Sequence, residues 1–583
     1  MKKSFFLGIF GGHGPNPSAA LICNNKLIAF AEEERFNRIK NAPSYLPIKS
    51  ILFCLSKAKI TAKDLDSISV AWDCESYIKN QPLFLKKIKD NYNWDDNLYN
   101  DLHERKLLTA FHPEVLKQNL KFSLAKNDHF IDIKKISFLN HHLCHAASTY
   151  YASDFDKALI FTIDGSGEED CTVIWKAENG LIKEIEKFKL PHTLGGYYGT
   201  FTEFLGFKAN SEEGKLMGLA PYGKFDENIQ KKLDGFVAYD EKKSSYTVDP
   251  TYRFYNQRSY NSVFTDKLVK IFGPPRIPHK KITTFHKDLA FNVQWRLEKI
   301  VSGLILKYIK KNRIYDICLA GGVAMNCKMN GVISAMPEVK NIYVQPASSD
   351  NGTALGAACV SAVKKNFKLN KIMPHAYWGP EYSDIEIKKA IIESKLKYSK
   401  PKNLLEYTSS KLYEGKIVGW FNGRSEIGAR SLGGRSILAN PMFKDMQKKI
   451  NLEVKHREHW RPFAPALIKE KFELYFGYSK PADYMIIAHY IKKEFYKVFP
   501  STVHIDGSVR PQTVRKDTNG KFYKLLKLFG KLSGHPLLIN TSFNIQGEPI
   551  VETPQDALRC FGGTGIDILV IGNYILEKDD KKE

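Results

Sequence analysis

The chain has 583 residues, of which 43% are hydrophobic and 26% charged, with 87 Lys and Arg against 63 Asp and Glu for a formal net charge of +24. That length exceeds what one hydrophobic core organises, so at least two domains are expected, and nothing in the composition indicates long disorder. No stretch reaches the ~20 apolar residues of a membrane-spanning helix, and none of the nine cysteines forms a C-x-x-C pair, which argues against membrane, zinc-ribbon and disulfide-framework classes and suits a reducing cytoplasm.

The positive charge has two readings, a solvated lysine-rich surface or anionic ligands such as nucleotides and phosphates. Lysines are scattered and no RNA-binding signature occurs, so nucleic acid is not an expected partner. The start, Met1-Lys2-Lys3 followed by the apolar run to Phe10, is read as a buried first strand rather than a signal peptide, because Gly11-Gly12-His13-Gly14 offers no clean cleavage site.

In chain order, Phe6–Phe10 is a strand, 11–17 a Gly/Pro loop, and 18–23 and 26–31 are strands joined by a turn at Asn24-Asn25. The same order recurs at 158–163 (strand), Asp164-Gly165-Ser166-Gly167 (polar Gly loop), 171–175 (strand), Glu178-Asn179-Gly180 (turn) and 181–188 (strand). Two facing strand–loop–hairpin units describe the actin, sugar-kinase and Hsp70 ATPase architecture, in which the loops hold phosphates through backbone N–H groups. Two unrelated hairpins would give the same pattern. A third unit joins the strand 316–319 to the turn Ala320-Gly321-Gly322-Val323-Ala324 and a helix. A fourth carries 344–346 through Ser348–Gly352 into an Ala/Gly-rich helix. Periodicity breaks between Lys364 and Asp384, which sets domains at 1–366 and 385–583. Beyond lie a strand at 417–421, a Gly/Arg loop at 423–435, a basic–aromatic segment at 455–463, a strand at 536–539 entering Asn540–Asn544, a helix opened by Pro554 and a strand at 566–571. The fold class is α/β.

His141-His142-Leu143-Cys144-His145 is the sharpest local feature. His141 and His145 stand one helical turn apart on one face and can chelate a transition metal, or form a plain helix-surface cluster. Asp164 and Asp350 each end an apolar stretch, where a carboxylate needs a cation or donors. Two histidines and two aspartates make a mixed N/O set that suits Fe(II) or Mn(II) and is poor for closed structural zinc. In the C-terminal half Arg424, Arg430, Arg435, Lys455, Arg457, Arg461 and Arg510 recur beside glycines and aromatics. Guanidinium forks fit phosphate, and Arg461 sits among Trp460, Pro462, Phe463 and Pro465, where a partner is needed. No P-loop, H-E-x-x-H or G-x-S-x-G pattern occurs.

HHLCHAASTYY (141–151), FTIDGSGE (161–168), EEGKLMGLAPYG (212–223), LAGGVAMNCKMNG (319–331), QPASSDNGTALGAA (345–358), ARSLGGRSILANP (429–441), KHREHWRPFAPA (455–466) and NTSFNIQGEPIV (540–551) follow one another in this order. In these stretches the chain resembles the O-carbamoyltransferases of antibiotic and Nod-factor biosynthesis, over nearly its whole length. The resemblance implies an N-terminal carbamoyl-transfer domain similar to the metal-dependent ATPase-fold domain of tRNA threonylcarbamoyl-transfer enzymes. It implies a C-terminal domain similar to YrdC that forms carbamoyl-adenylate from carbamoyl phosphate and ATP.

The carbamoyl group then passes to a hydroxyl of a small-molecule or sugar acceptor, with AMP released. The expected metal ligands are His141, His145, Asp164 and Asp350, with Fe(2+) as the ion. Gly321, Gly322 and Asn326 are placed near the nucleotide, and Arg430 on ATP phosphates, with Mg(2+) accompanying ATP. Lys455, Arg461, Arg510 and Ser542 are placed on carbamoyl phosphate, and His13 beside the reacting carbamoyl. Lys455 and Arg461 are also expected to be catalytic. One departure is the first loop, Gly12–Ala19, two residues longer than the family's short G-H-D/N-x-S-A run. The alternative is a tRNA threonylcarbamoyl transferase, against which stands the union of both activities in one chain with the transfer domain first. A chaperone or sugar kinase of the same ATPase superfamily would need neither the histidine pair nor the arginine constellation.

Overall fold

The computed structural model describes residues 3–91, 109–254 and 262–578. Met1 and Lys2, the start of the N-terminal stretch, lie outside the described residues. The chain forms two compact units, one of residues 1–28 and 43–373, the other of residues 29–42 and 374–583.

The first unit carries two sheets of five strands built to one plan, except that residues 29–32, the end of one strand, belong to the second unit. Strands β1 (Phe5–Phe10), β2 (Ser18–Cys23), β3 (Lys26–Glu32), β4 (Ser67–Val70) and β5 (Ile136–Phe138) are ordered β3-β2-β1-β4-β5. β1 runs antiparallel to β2 and parallel to β4, and β4 parallel to β5. Strands β6 (Lys157–Gly167), β7 (Asp170–Glu178) and β8 (Leu181–Lys189) open the second sheet, and a small hairpin of β9 (Val237–Asp240) and β10 (Ser245–Val248) stands apart from it. With β11 (Asp316–Ala320) and β12 (Asn341–Val344) the second order is β12-β11-β6-β7-β8, the first plan again. β6 runs antiparallel to β7 and parallel to β11, and β11 parallel to β12. This repeated topology is that of the actin, sugar-kinase and Hsp70 fold. The central strands are buried over whole runs, all six residues of β1 among them, as expected of sheets covered on both faces.

One helix ties the duplicated halves. Thr353–Lys364 packs on β1 and on the helix His141–Tyr150. Its Ala/Gly-rich sequence serves close approach: a Cβ at Gly356 would stand 1.7 Å from the Cys144 carbonyl oxygen, and one at Gly8 would stand 1.9 Å from the Ala354 carbonyl oxygen.

The second unit is an α/β structure on a sheet of seven strands. In chain order these are β13 (Val418–Phe421), β14 (Arg435–Ala439), β15 (Ala464–Ile468), β18 (Gln512–Val514), β19 (Leu537–Ser542), β20 (Ile568–Ile571) and β21 (Tyr574–Glu577). The two-residue strands β16 (His489–Tyr490) and β17 (Ser508–Val509) pair separately. The sheet order is β18-β15-β19-β14-β13-β20-β21. Helices cover it: Asp384–Ser394 and Pro554–Gly562 contribute to one apolar cluster with Phe421, Ile437, Ile539 and Ile571, and Leu404–Tyr413 with Gly520–Ser533 contribute to another with Trp420, Leu438 and Val570.

Pairing register decides which loops meet. Ser436 of β14 lies opposite Ser542 of β19, Ala464 of β15 opposite Asn540 of β19, and Ala466 of β15 opposite Gln512 of β18. The starts of β14, β15 and β18 therefore share one end of the sheet with the finish of β19. The segments preceding those strands, and the turn after β19, are brought to that end.

Because the tightest helix contact rests on one missing Cβ, Gly356→Ala is expected to cost about 1–3 kcal/mol, the usual range for forcing a carbon into a filled core. It should be read as a lowered midpoint of the first urea unfolding transition, with the wild-type slope retained.

Candidate functional site

In the first unit the histidine helix starts where Asn140 caps it, its side-chain oxygen accepting from the Leu143 N–H at 2.8 Å. His141 and His145 are buried, one turn apart, with Nε2 atoms 3.1 Å from each other. Their carboxylate companions come from two other elements. Asp164 lies in β6 where the regular pairing of Ile163 with Thr172 breaks until Gly167 meets Asp170. The strand thus runs through the expected Gly loop as an irregularity instead of ending at Asp164, which turns this side chain out of the ladder. Asp350 opens a turn that leads into Thr353–Lys364. Asp164 Oδ2 stands 3.0 Å from His145 Nε2 and 3.9 Å from His141 Nε2, and Asp350 Oδ1 stands 3.8 Å from His141 Nε2. One potential ligand atom from each of the four lies within 4.8 Å of every other.

Electrostatics at this cluster ask for a cation. Burial and the neighbouring His145 hold His141 well below the usual histidine range, so it is neutral. Burial pushes the Asp350 carboxyl well up, and the Asp164 charge pushes it further. Asp164 resists its own burial because His145 and His141 face it, and it stays below the usual carboxylate range. Two buried carboxylates beside two imidazoles, that of His141 held neutral, form a donor set that a divalent ion satisfies. The tautomer also fits: His141 Nδ1 lies 3.0 Å from the Ala71 carbonyl oxygen, so Nδ1 carries the proton and Nε2 presents its lone pair. These residues fit a mixed N/O metal site.

His142, between the pair, turns away and bonds Thr162 Oγ1 at 2.8 Å and the Asp170 carbonyl at 3.0 Å, so it braces the helix on the sheet. Glu168 was not among the expected site residues. Its carboxylate accepts from the N–H of His141 at 3.1 Å and of Asp73 at 2.7 Å, and from Asn140 Nδ2 at 3.0 Å. Burial pushes it up to about 8. Its left-handed backbone, φ 50°, is a feature that residue type alone does not announce.

The glycine loops meet the cluster. The Gly322 N–H donates to Asp164 Oδ2 at 3.0 Å. Gly321 has φ +93°, and a Cβ there would stand 2.3 Å from the Ile163 carbonyl oxygen. Asn326 is committed locally: its Oδ1 accepts from Met329 N–H and Gln294 Nε2, and its Nδ2 donates to Gln294 Oε1. Gly14 of the first loop comes close too, since a Cβ on it would lie 3.6 Å from Asp350 Oδ2. His13 beside it sits in an aromatic cage, 5.0 Å from each of the Phe10, Trp72 and Phe111 rings. Trp72 and Phe10 in turn contact His141 at 5.2 and 5.5 Å. Both ring nitrogens of His13 and Nε1 of Trp72 are buried without a hydrogen-bond partner among the described residues. Burial pushes His13 down to about 3, so its imidazole is neutral and presents a free lone pair.

In the second unit the shared sheet end gathers cations. Lys455 is buried, and its ammonium donates to the Ser542 carbonyl, to Ser542 Oγ at 3.3 Å, and to the Asn544 carbonyl and Oδ1 at 3.0 and 2.9 Å. Burial, then Arg457 and Arg461, hold it well below the usual lysine range. Arg457 is depressed by burial and by Arg461 and Arg510, with Glu458 opposing. Four cations are therefore within electrostatic reach of one another. Asn451 fixes this turn, accepting from Arg457 Nε at 2.6 Å and donating to the Arg461 carbonyl at 3.0 Å. Arg510 Nε is buried without a hydrogen-bond partner among the described residues.

Not every arginine of the constellation faces this site. Arg424 donates to the Gly379 and Trp378 carbonyls, and Arg435, fully buried, lies 3.7 Å over the Phe421 ring and donates to the Gly423 carbonyl at 2.9 Å. Both hold backbone. Arg430 stands half-buried in the loop before β14. The next residue, Ser431, bonds Asn540 of β19 at 3.2 Å.

Both halves of the chain match family models, Carbamoyltransferase N-terminus over residues 8–359 and Carbamoyltransferase C-terminus over residues 409–578. The chain belongs to the carbamoyltransferase family. The expectation of an O-carbamoyltransferase is thereby borne out at the level of family and reaction, an enzyme that transfers a carbamoyl group. This carbamoyltransferase is 34% identical to an uncharacterized protein of Synechocystis sp., over 96% of this chain and 95% of that protein. It is 32% identical to the Nodulation protein NolNO of Sinorhizobium fredii, over 96% of this chain and 78% of that protein. Among solved structures, component A of the (R)-2-hydroxyglutaryl-CoA dehydratase of Acidaminococcus fermentans is similar at TM-score 0.30 and 13% identity, covering 62% of this chain and 99% of that one. No described helix of the carbamoyltransferase is long and apolar enough to cross a membrane.

If the four-residue cluster holds an ion, the purified enzyme reconstituted with Fe(II) should retain about one ion per chain after desalting, as two imidazoles and two carboxylates suffice for one site. The double variant His141→Ala/His145→Ala should retain none. Elemental analysis decides it, and unchanged metal content in the variant would remove the assignment.

Proposed function

We propose that this carbamoyltransferase activates carbamoyl phosphate with ATP in its second unit and transfers the carbamoyl group to an acceptor hydroxyl in its first. The observation that carries the reading is the cation cluster of Lys455, Arg457, Arg461 and Arg510 at the sheet end. Bringing a small dianion to ATP is opposed by Coulomb repulsion that grows as water leaves. Four buried or half-buried cations that repel one another in the free protein are suited to that encounter, because bound anions relieve the repulsion.

In this reading Lys455, Arg461, Arg510 and Ser542 hold carbamoyl phosphate, Lys455 and Arg461 act catalytically, and Arg430 faces ATP phosphates, with Mg(2+) accompanying the nucleotide. Atoms balance if water releases phosphate from carbamoyl phosphate and the carbamate oxygen attacks the α-phosphorus, with pyrophosphate leaving. Forming the anhydride matters because nitrogen donation makes the carbamoyl carbon a poor electrophile, and AMP is a good leaving group. This division of labour makes residues 1–366, apart from 29–42, the transfer domain and 385–583 a YrdC-like activation domain.

At the transfer site His141, His145, Asp164 and Asp350 would hold a divalent ion, for which Fe(2+) suits the donor set. Such an ion supplies Lewis acidity beside the phosphate of the adenylate. Gly321 and Gly322 offer backbone to the nucleotide, and Asn326 shapes that turn. His13 accepts the proton of the acceptor hydroxyl as the oxygen attacks the carbamoyl carbon, and its unshared ring nitrogens support that role. The acceptor is a small molecule or sugar. A cytoplasmic setting, where ATP and carbamoyl phosphate are made, agrees with nine cysteines that form no disulfide.

Arg461→Ala should abolish AMP formation that depends on carbamoyl phosphate, yet leave transfer from pre-formed carbamoyl-adenylate near the wild-type rate. A folded variant that loses both would mean that the two steps share one site.

His13→Asn should slow transfer from the adenylate by about a hundredfold, the scale of one general base, while adenylate formation in a pyrophosphate-release assay stays intact. Equal loss of both steps would assign His13 a structural role.

A further inference from the structure

The second unit contains a segment from far upstream. Residues 29–42 belong to it, although residues 1–28 and 43–373 form the other unit. The segment is Ala29–Ala42, with the run Glu32-Glu33-Glu34-Arg35-Phe36-Asn37-Arg38 at its centre. Four of its charged residues, Glu32, Glu33, Glu34 and Arg35, are buried at 5%, 3%, 6% and 3% exposure, which is costly unless each has a defined partner.

Glu34 is satisfied inside the segment, accepting from the Asn41 N–H at 2.6 Å, while Glu32 and Arg35 reach a loop at the cation end of the seven-stranded sheet. Glu32 Oε2 accepts from the Gly428 N–H at 3.1 Å, and Arg35 Nη2 donates to the Gly428 carbonyl at 3.0 Å. The two side chains also bond each other at 3.3 Å. One peptide residue is thus gripped on both of its polar groups, two positions before Arg430. Gly428 has φ +95°, in the left-handed region, so the backbone there needs holding. The far side of the same loop is held by Glu426, whose Oε1 accepts from the N–H groups of Leu432 at 2.6 Å, Gly434 at 3.2 Å and Arg435 at 3.2 Å.

Arg38 grips the second loop. Its Nη1 donates to the Ile550 carbonyl at 2.7 Å and its Nη2 to the Pro549 carbonyl at 2.9 Å, with Asp556 3.4 Å from its Nε. That loop continues from Ser542 and Asn544, the partners of Lys455, and Asn544 Nδ2 reaches the Glu548 carbonyl at 2.7 Å.

We infer that residues 29–42 are a working part of the activation site, with Glu32 and Arg35 as positioning residues for the Arg430 loop and Arg38 as the positioning residue for the Ser542–Ile550 loop. The inference rests on the reading that these loops hold ATP and carbamoyl phosphate. Charge agrees with it: Arg35 faces Glu32, Glu34, Glu552 and Glu426, which hold it protonated against its burial. The grip restrains the backbone on either side of Arg430.

The test uses the full-length enzyme and separates the two ligands. Glu32→Ala should raise the KM for ATP about tenfold, the scale of a lost buried charge-assisted hydrogen bond, with the KM for carbamoyl phosphate unmoved. Glu32→Gln keeps an oxygen for the Gly428 N–H and should recover most of the loss. Arg38→Met should do the converse, raising the KM for carbamoyl phosphate and sparing that for ATP. Transfer from pre-formed carbamoyl-adenylate should be unchanged in all three. Should Glu32→Ala fail to fold, Arg35→Lys, which keeps the buried charge but loses the guanidinium fork, should raise the KM for ATP by a smaller factor.

Arg430→Ala is the control. If it raises the KM for ATP while the segment variants do not, the inference is overturned and the reading of the loop survives. If Arg430→Ala has no effect either, the reading of the loop falls and the inference falls with it. Equal changes in both KM values and in kcat, without rescue by Glu32→Gln, would show a merely structural segment.

Discussion

Like charges held close together out of water are the constraint around which both units are built. In the first unit the carboxyl groups of Asp164 and Asp350 stand beside the imidazoles of His141 and His145. In the second, Lys455 sits buried among Arg457 and Arg461. Neither arrangement is a stable resting place for its charges, and each is held by a frame of ordinary hydrogen bonds. Asn140, Glu168 and the Ala71 carbonyl fix the histidine helix. Asn451 and the turn Ser542–Asn544 fix the basic segment. The folding of each unit thus prepares a site whose electrostatic debt is settled only by a bound ion or anion, and that sign of charge is what selects the ligand.

The duplicated topology serves the first of these frames. The repeated strand order β3-β2-β1-β4-β5 brings the first Gly loop and the irregular stretch of β6 into one region with the turn before Thr353–Lys364. That helix packs close because Gly356 and Gly8 lack side chains. In the second unit strand register does the equivalent work. Antiparallel β14 and β15 flank β19, so segments far apart in sequence reach the same sheet end without any of them being long.

Much of this was legible in the residues. The strand–loop–hairpin repeat announced the duplicated fold, and the spacing of His141 and His145 with Asp164 and Asp350 named a group that the structure does assemble. What residue type could not separate was use from support. His142 is as much a histidine as its neighbours, but its ring is spent on Thr162 and the Asp170 carbonyl. Arg424 and Arg435 lie in the same Gly/Arg loop region as Arg430, but they cap carbonyls. Only the three-dimensional course of the backbone assigns such partners. Glu168 was hidden for a related reason: its role is to accept N–H groups that come from helix and loop starts, and no spacing rule encodes those. The burial of the run Glu32–Arg35 is likewise not announced by its charged residue types.

That run has a consequence for how such chains can be rearranged. The second unit is not a contiguous piece of the gene, since residues 29–42 are completed into it only by sequence that begins at 374. A single cut near residue 374 would leave one fragment without its grip on Gly428 and the other with a buried-charge segment that has lost its partners. Gene fission, domain shuffling and chimeras between relatives must therefore move this short stretch together with the C-terminal half.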